Sequence, residues 1–258
     1  MIALITGAAK RLGRAMALDA AKQGYDVAVH YASSADAAHA TVADIRALGQ
    51  QAVALHADLL DEDETHALLP AAAAALGGPV TLLINNASIF EHDTLATATR
   101  ESWNRHIGSN LRAPFVLTQA LAAQAPAPIP DENGEPLAQA AVINMIDQRV
   151  HKLTPEFMTY TIAKMGLWAF TRTAAQALAP KVRVNAIGPG PTLQGTRQSS
   201  THFVAQRAAT IMGRGADADG IVQALRYLLR ARAVTGQLIC VDGGQHLGWK
   251  TPDAVGVE

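Results

Sequence analysis

Short, unbroken apolar runs alternate along most of the chain with longer stretches in which apolar residues recur every three or four positions. A run such as Ile2-Ala3-Leu4-Ile5 offers no polar face to water, so it predicts a strand covered on both sides. The three-and-four spacing instead gathers apolar side chains on one face of a helix. In the first half this reading places strands at residues 2–6, 26–31, 51–57 and 80–85. Between them lie helices at 14–23 (stopped by Gly24), from the polar turn after residue 31 to about 48, and at 62–76. The second half predicts a helix over 100–123, a strand over 141–145, a helix over 158–178 and a strand over 183–187, then a helix over 220–229 and a last strand over 237–241.

Such alternation predicts an α/β fold: a single-domain, Rossmann-type, doubly wound parallel sheet with helices on both faces. Two segments break the rhythm. Residues 125–140 are rich in Pro, Asp, Glu and Gly and read as a lengthened surface loop. Residues 188–215 read as an irregular stretch after a strand's carboxyl end, where α/β sheets place ligands and lids. No repeat or linker divides the chain, so residues 1–248 are expected to form one domain, with 249–258 as a tail.

Composition narrows the function classes. The 258 residues are 49% hydrophobic and 17% charged, and the net charge is −1, so no basic field exists to hold nucleic acid or an anionic membrane. No window approaches the roughly 20 apolar residues of a membrane span. The start, Met1-Ile2-Ala3-Leu4, carries no basic leader, and a soluble, cytoplasmic protein is expected. Cys240 is the only cysteine and lies in an apolar run, which excludes an internal disulfide and reads as a buried structural thiol. Nine histidines without a His-x-x-x-His pair or a cysteine partner lead us to expect no metal site.

Chemistry concentrates at two places. Thr6-Gly7-Ala8-Ala9-Lys10-Arg11-Leu12-Gly13 joins the first strand to the first helix, with Gly7 permitting a tight turn and Gly13 close packing of helix on sheet. Free amides at that helix N-terminus suit a pyrophosphate, although the wording is not Gly-x-Gly-x-x-Gly and an ordinary glycine turn is the alternative. After the second strand comes His30-Tyr31-Ala32-Ser33-Ser34, with no carboxylate before Asp36. An NAD site usually places an acid here. The serine hydroxyls, the His30 imidazole and Arg11 suit a 2′-phosphate, which favours NADPH; Ser33 and Ser34 capping the next helix is the plain alternative. The second place is Tyr160-Thr161-Ile162-Ala163-Lys164, which puts a phenol and an ammonium on one helix face. The lysine charge is expected to favour the phenolate and lower the tyrosine pKa toward a useful range.

Around that pair the sequence resembles the short-chain dehydrogenase/reductase family. The marks run in family order over nearly the whole chain: Thr6-Gly7 with Gly13, Asp58-Leu59, Asn85-Asn86-Ala87, Asn110, Tyr160 with Lys164, Arg183-Val184-Asn185, Gly188-Pro189-Gly190 and Val241-Asp242-Gly243-Gly244. The resemblance implies a catalytic set of Asp147, Tyr160, Lys164 and Asn110, the last holding a proton-relay water. It implies NADPH contacts from Gly7, Arg11, Leu12, Gly13, His30, Tyr31, Ser33, Ser34, Asp58 and Leu59. Further contacts are implied from Asn86, Ala87, Ser88, Lys164, Pro189, Gly190 and Thr192. It also implies pairing through the helix that carries Lys164, Trp168 and Phe170, as a homotetramer, with the tail around Trp249 at a subunit boundary.

Two departures from the usual family pattern point to one branch. Arg11 replaces the middle glycine of the turn, and Asp147 replaces the serine that stands thirteen residues before the tyrosine. Both resemble the pteridine reductases and the related dihydromonapterin and dihydrofolate reductases, as do the wording of the turn and Phe90 after Asn85-Asn86-Ala87-Ser88. That branch implies a pterin stacked between Phe90 and the nicotinamide, with Arg11 and Ser88 on its polar edge. Tyr160, oriented by Asp147, would protonate a ring nitrogen as hydride reaches carbon. Two alternatives stay open. One is a carbonyl or alcohol oxidoreductase of the same family in which Asp147 merely caps or pairs with Arg149. The other is a non-catalytic dinucleotide sensor.

Overall fold

A computed structural model describes residues 1–195, 198–251 and 254. In chain order the elements are β1 (Ile2–Ile5), α1 (Arg11–Lys22), β2 (Asp26–Tyr31), α2 (Ala35–Ala47), β3 (Ala52–His56), α3 (Glu62–Leu76), β4 (Val80–Asn85) and α4 (Arg100–Ile107). A π-helical turn, Gly108–Arg112, joins α4 to α5 (Ala113–Gln124); the two-residue strands β5 (Ile129–Pro130) and β6 (Pro136–Leu137) follow, then β7 (Ala140–Met145). The chain continues through a 3-10 turn at Gln148–His151, α6 (Met158–Leu178), β8 (Val182–Pro189), α7 (Ser200–Ala208), α8 (Ala218–Arg230) and β9 (Leu238–Val241).

Seven strands form one parallel sheet in the order β3-β2-β1-β4-β7-β8-β9. Alternation along β1 shows why both faces need cover: Ala3 and Ile5 join one core with Met16, Val42 and Leu225, whereas Ile2 and Leu4 join the other with Leu69, Leu117 and Ala174. Helices α1, α2 and α8 therefore cover one face, and α3, α5 and α6 the other. The order reverses between β1 and β4, and the crevice outside their carboxyl ends is where such sheets bind ligands. Arg183 and Asn185 serve this frame: the Arg183 guanidinium donates to the carbonyls of Leu228, Leu229, Ala231 and Val234, tying β8 to the end of α8.

Three departures from the periodicity reading have local causes. The stretch read as one helix over 100–123 contains the π-turn, which widens the coil at Asn110 without ending it. Residues 188–215 include α7, whose start is capped by Ser199 Oγ accepting from His202 N; a short, weakly amphipathic helix leaves little periodic trace. The loop of 125–140 contains the small antiparallel ladder of β5 and β6, closed by Asp131 Oδ1 accepting from the amides of Asn133 and Glu135. Among the described residues no helix is long and apolar enough to cross a membrane. Trp249 is exposed, and most of the expected tail, 252–253 and 255–258, lies outside the described residues. Cys240 is only partly buried, and burial pushes its thiol pKa up to about 12.

Candidate active site

The turn after β1 is cross-braced before any ligand arrives. Thr6 Oγ1 accepts from the amides of Asn86 and Ala87, and Asn86 Nδ2 donates to the carbonyls of Thr6 and Gly7. Gly7 has φ +61°, and a Cβ on Gly13 would stand 2.2 Å from the Gly7 carbonyl oxygen, so both positions are restricted to glycine by conformation and by contact. Helix α1 begins with no capping side chain and no acid in its first turn, which leaves its amides and positive dipole end available to an anion. These features fit a dinucleotide pyrophosphate.

His30 stands elsewhere than expected. It is buried; its Nδ1 accepts from Gly7 N at 3.0 Å and its Nε2 lies 3.0 Å from the Ala57 carbonyl, so both ring nitrogens are taken up by backbone and the ring holds the turn in shape. Burial also keeps its pKa below the ordinary histidine value, consistent with a neutral ring bridging two backbone groups. Arg11 adopts φ +55°, in the left-handed region that favours glycine, at a cost on the order of 1 kcal/mol. Its guanidinium donates to the carbonyls of Leu193 (3.1 Å) and Gln194 (2.7 Å), drawing the segment after β8 toward the turn.

A cavity of about 610 Å³ opens between these elements. Of the residues expected at the site, it collects Gly7, Arg11, Leu12, Gly13, Asn86, Ala87, Ser88, Phe90, Asp147, Tyr160, Lys164, Pro189, Gly190 and Thr192. Tyr31, Ser33, Ser34, Asp58 and Leu59 sit at the carboxyl ends of β2 and β3, outside its wall, and Ser34 precedes α2 without a side-chain cap bond. Phe203 and Gln206 of α7 also line the cavity, so the region read as irregular supplies part of the wall as a helix.

Tyr160 is buried, and its hydroxyl donates to Asp147 Oδ2 at 2.9 Å. Asp147 Oδ1 accepts from Arg149 N at 2.8 Å, so the carboxylate caps the 3-10 turn with one oxygen and holds the phenol with the other. Lys164 does not produce the phenolate expected from its spacing. Its Nζ donates to the Met145 carbonyl at 2.8 Å, and burial lowers its own pKa to about 8. Burial, followed by the neighbouring Asp147 carboxylate, pushes the Tyr160 pKa well above its ordinary value. Tyr160 is thus held as a neutral hydrogen-bond donor. Asp147 in turn is raised by burial, against the bonds it accepts from Arg149 N and Tyr160.

Asn110 does not line the cavity. Its side chain is fully buried, with Oδ1 accepting from Ile89 N and Nδ2 donating to Ile89 O, each at 2.8 Å. The π-turn aims this amide at the Ile89 backbone, next to Phe90. Phe90 stacks on Phe157 (centroids 4.3 Å, planes 7° apart) and meets Tyr160 edge-on at 4.7 Å. Phe157 went unread in the sequence. It precedes α6 with φ +57°, and the Arg149 guanidinium lies 5.1 Å from its ring centroid. Nothing in the local pattern marks it, since the stack joins residues from two distant segments.

Residues 1–204 match the short chain dehydrogenase family. The chain belongs to that family. Among its relatives is the 3-oxoacyl-(acyl-carrier-protein) reductase FabG of Staphylococcus epidermidis, 32% identical over 251 residues that cover 95% of this chain and 98% of the relative. Among solved structures, FolM alternative dihydrofolate reductase 1 from Brucella canis, complexed with NADP, is 39% identical, covers 98% of this chain and 97% of its own, and superposes with a TM-score of 0.90. The promiscuous reductase LugOII, which catalyses a keto-reduction, is 29% identical with a TM-score of 0.85, covering 96% of this chain and 98% of its own. The chain is therefore an oxidoreductase of this family, and Asp147, Tyr160 and Lys164 line one cavity.

A pH prediction follows from Lys164. Its ammonium is present below about pH 8 and is lost above it, whereas Tyr160 keeps its proton throughout this range. With a cationic Lys164 needed at the site, kcat/KM should fall as pH rises through about 8, approaching a tenfold loss per pH unit. Steady-state rates from neutral to alkaline pH check this, and a flat profile contradicts it.

Proposed function

We propose that this protein is an NADPH-dependent reductase of a C=N bond in a dihydropterin or dihydrofolate. The observation that carries the reading is the Asp147 carboxylate 2.9 Å from the Tyr160 hydroxyl, beside the Phe90 ring at the cavity wall. A ring nitrogen must receive a proton when hydride adds to the adjacent carbon. Tyr160, kept protonated, is a suitable donor, and Asp147 orients it and supports return of the proton. Phe90 offers a flat apolar surface for a planar heterocycle, while Ser88 and Arg11 supply donors toward its polar edge.

Bound NADPH supplies the hydride. The Gly7–Gly13 turn and the α1 N-terminus would hold its pyrophosphate, Lys164 its nicotinamide ribose, and Ser33 and Ser34 its 2′-phosphate. Support for the substrate class comes from the Brucella alternative dihydrofolate reductases, both 39% identical to this chain and both seen with NADP. A second reading, reduction of a ketone, is favoured by the FabG relatives and by LugOII. NADPH oxidation measured with dihydrobiopterin, dihydromonapterin and dihydrofolate, alongside a panel of ketones, separates the two. Turnover of a pterin is expected; ketone turnover with none of the pterins reduced would remove the first reading.

In the same reading the whole of 1–248 works as one cytoplasmic domain and the subunits form a homotetramer. Exposed Trp103, Phe115, Ile162 and Met165 on α4, α5 and α6 support pairing through those helices.

A further inference from the structure

Beneath Phe90 and Tyr160 lies a buried polar cluster that the proton path does not use. Asp93 and Thr159 are each 2% exposed and His106 is fully buried. Asp93 Oδ2 accepts from Thr159 Oγ1 (2.5 Å) and Ser102 Oγ (3.0 Å), and its Oδ1 accepts from Thr159 N (3.1 Å). His106 Nε2 accepts from Glu91 N at 3.1 Å, so the proton of the neutral ring is on Nδ1, which lies 2.7 Å from Thr159 Oγ1. Every proton then has one direction: His106 donates to Thr159, and Thr159 donates to Asp93. The cluster joins three segments that meet at the site. Glu91 and Asp93 follow Phe90, Ser102 and His106 belong to α4, and Thr159 immediately precedes Tyr160 on α6.

We propose that Asp93, Thr159 and His106 form a positioning cluster that fixes Phe90 against Tyr160, so that binding and turnover of the substrate depend on it while NADPH binding does not. Asp93, Thr159 and His106 do not line the cavity that the glycine turn shares with Phe90 and Tyr160. Buried networks of this kind hold their geometry because any displacement leaves a polar group without a partner. The Asp93 carboxyl follows suit: burial raises its pKa, but the bonds from Thr159 and Ser102 outweigh this and keep it below the usual value, hence ionised. Around His106, burial lowers the pKa most; Asp93 and Glu91 oppose this and Arg105 adds to it. Protonating Nε2 at low pH would set it donor to donor against the Glu91 amide and push the Phe90 segment away.

The inference rests on Phe90 being the substrate's stacking surface, and the test keeps the two apart. Wild-type enzyme is assayed with dihydrobiopterin, or with whichever ketone it reduces should no pterin be turned over. Inactivity on pterins counts against the substrate reading alone. On the working substrate, T159V is expected to lower kcat/KM roughly tenfold, chiefly through KM, with NADPH affinity close to wild type and a lower melting temperature, because Asp93 and His106 each lose a buried partner. T159S, which keeps the hydroxyl, should restore the wild-type value. Should T159V fold poorly, S102A removes one donor to Asp93 from a different helix and should raise KM in the same direction by less. Wild-type KM should rise on the acid side of neutrality, and H106Q, which keeps an acceptor without a titrating proton, should abolish that rise. Unchanged kcat/KM in both T159V and S102A, a parallel loss of NADPH affinity, or an acid-side rise that persists in H106Q overturns the proposal.

Discussion

Replacing Tyr160 with phenylalanine is expected to lower kcat by about a thousandfold while NADPH still binds. In the proposed reaction the phenol is the proton donor, and its hydroxyl lies 2.9 Å from Asp147 Oδ2. Burial and the Asp147 carboxylate keep it protonated well above the ordinary tyrosine pKa, so it holds a proton to give across the neutral range. Lys164 Nζ lies 5.7 Å from the Tyr160 ring centroid and is bonded to the Met145 carbonyl. Phenylalanine preserves the ring that meets Phe90 edge-on, so substrate stacking is largely retained. Single-turnover rates with NADPH, set beside a fluorescence titration of the cofactor, measure the two quantities separately. Near-wild-type turnover in Y160F would show that protonation comes from elsewhere and would remove Tyr160 from the chemistry.

The second large effect is expected at Asp147. In D147N the side chain keeps its size, and one oxygen can still accept from Arg149 N and cap the 3-10 turn. The amide then presents a donor where Tyr160 requires an acceptor, which turns the phenol hydroxyl out of line. We expect kcat on a dihydropterin to fall about a hundredfold, with a smaller change in KM and little change in melting temperature. A drop in melting temperature with kcat unaltered would mean that the carboxylate serves the turn alone. The outcome also bears on the competing ketone reading, because the second oxygen is what distinguishes this site from one in which Asp147 is a cap.

The alternation of apolar runs and amphipathic stretches determined the layered α/β fold, since a strand such as Ile2–Ile5, apolar at every position, must be covered on both faces. Gly7 and Gly13 were legible for a similar reason: a positive φ favours glycine at the first, and a 2.2 Å clearance leaves no room for a Cβ at the second. The pairing of Tyr160 with Lys164 was visible as helical spacing, and Asp147 as a carboxylate at a fixed distance before it. The electrical outcome was not legible, because spacing says which groups are near and burial says which protonation state survives. Only the folded chain showed that Tyr160 stays neutral, that His30 bridges two backbone groups, and that Asn110 grips Ile89. The Phe90–Phe157 stack and the Asp93, Thr159 and His106 cluster join segments far apart in sequence, so no local pattern could encode them. Local periodicity is set by the chain's own geometry; dielectric environment and long-range contact exist only after the layers have packed.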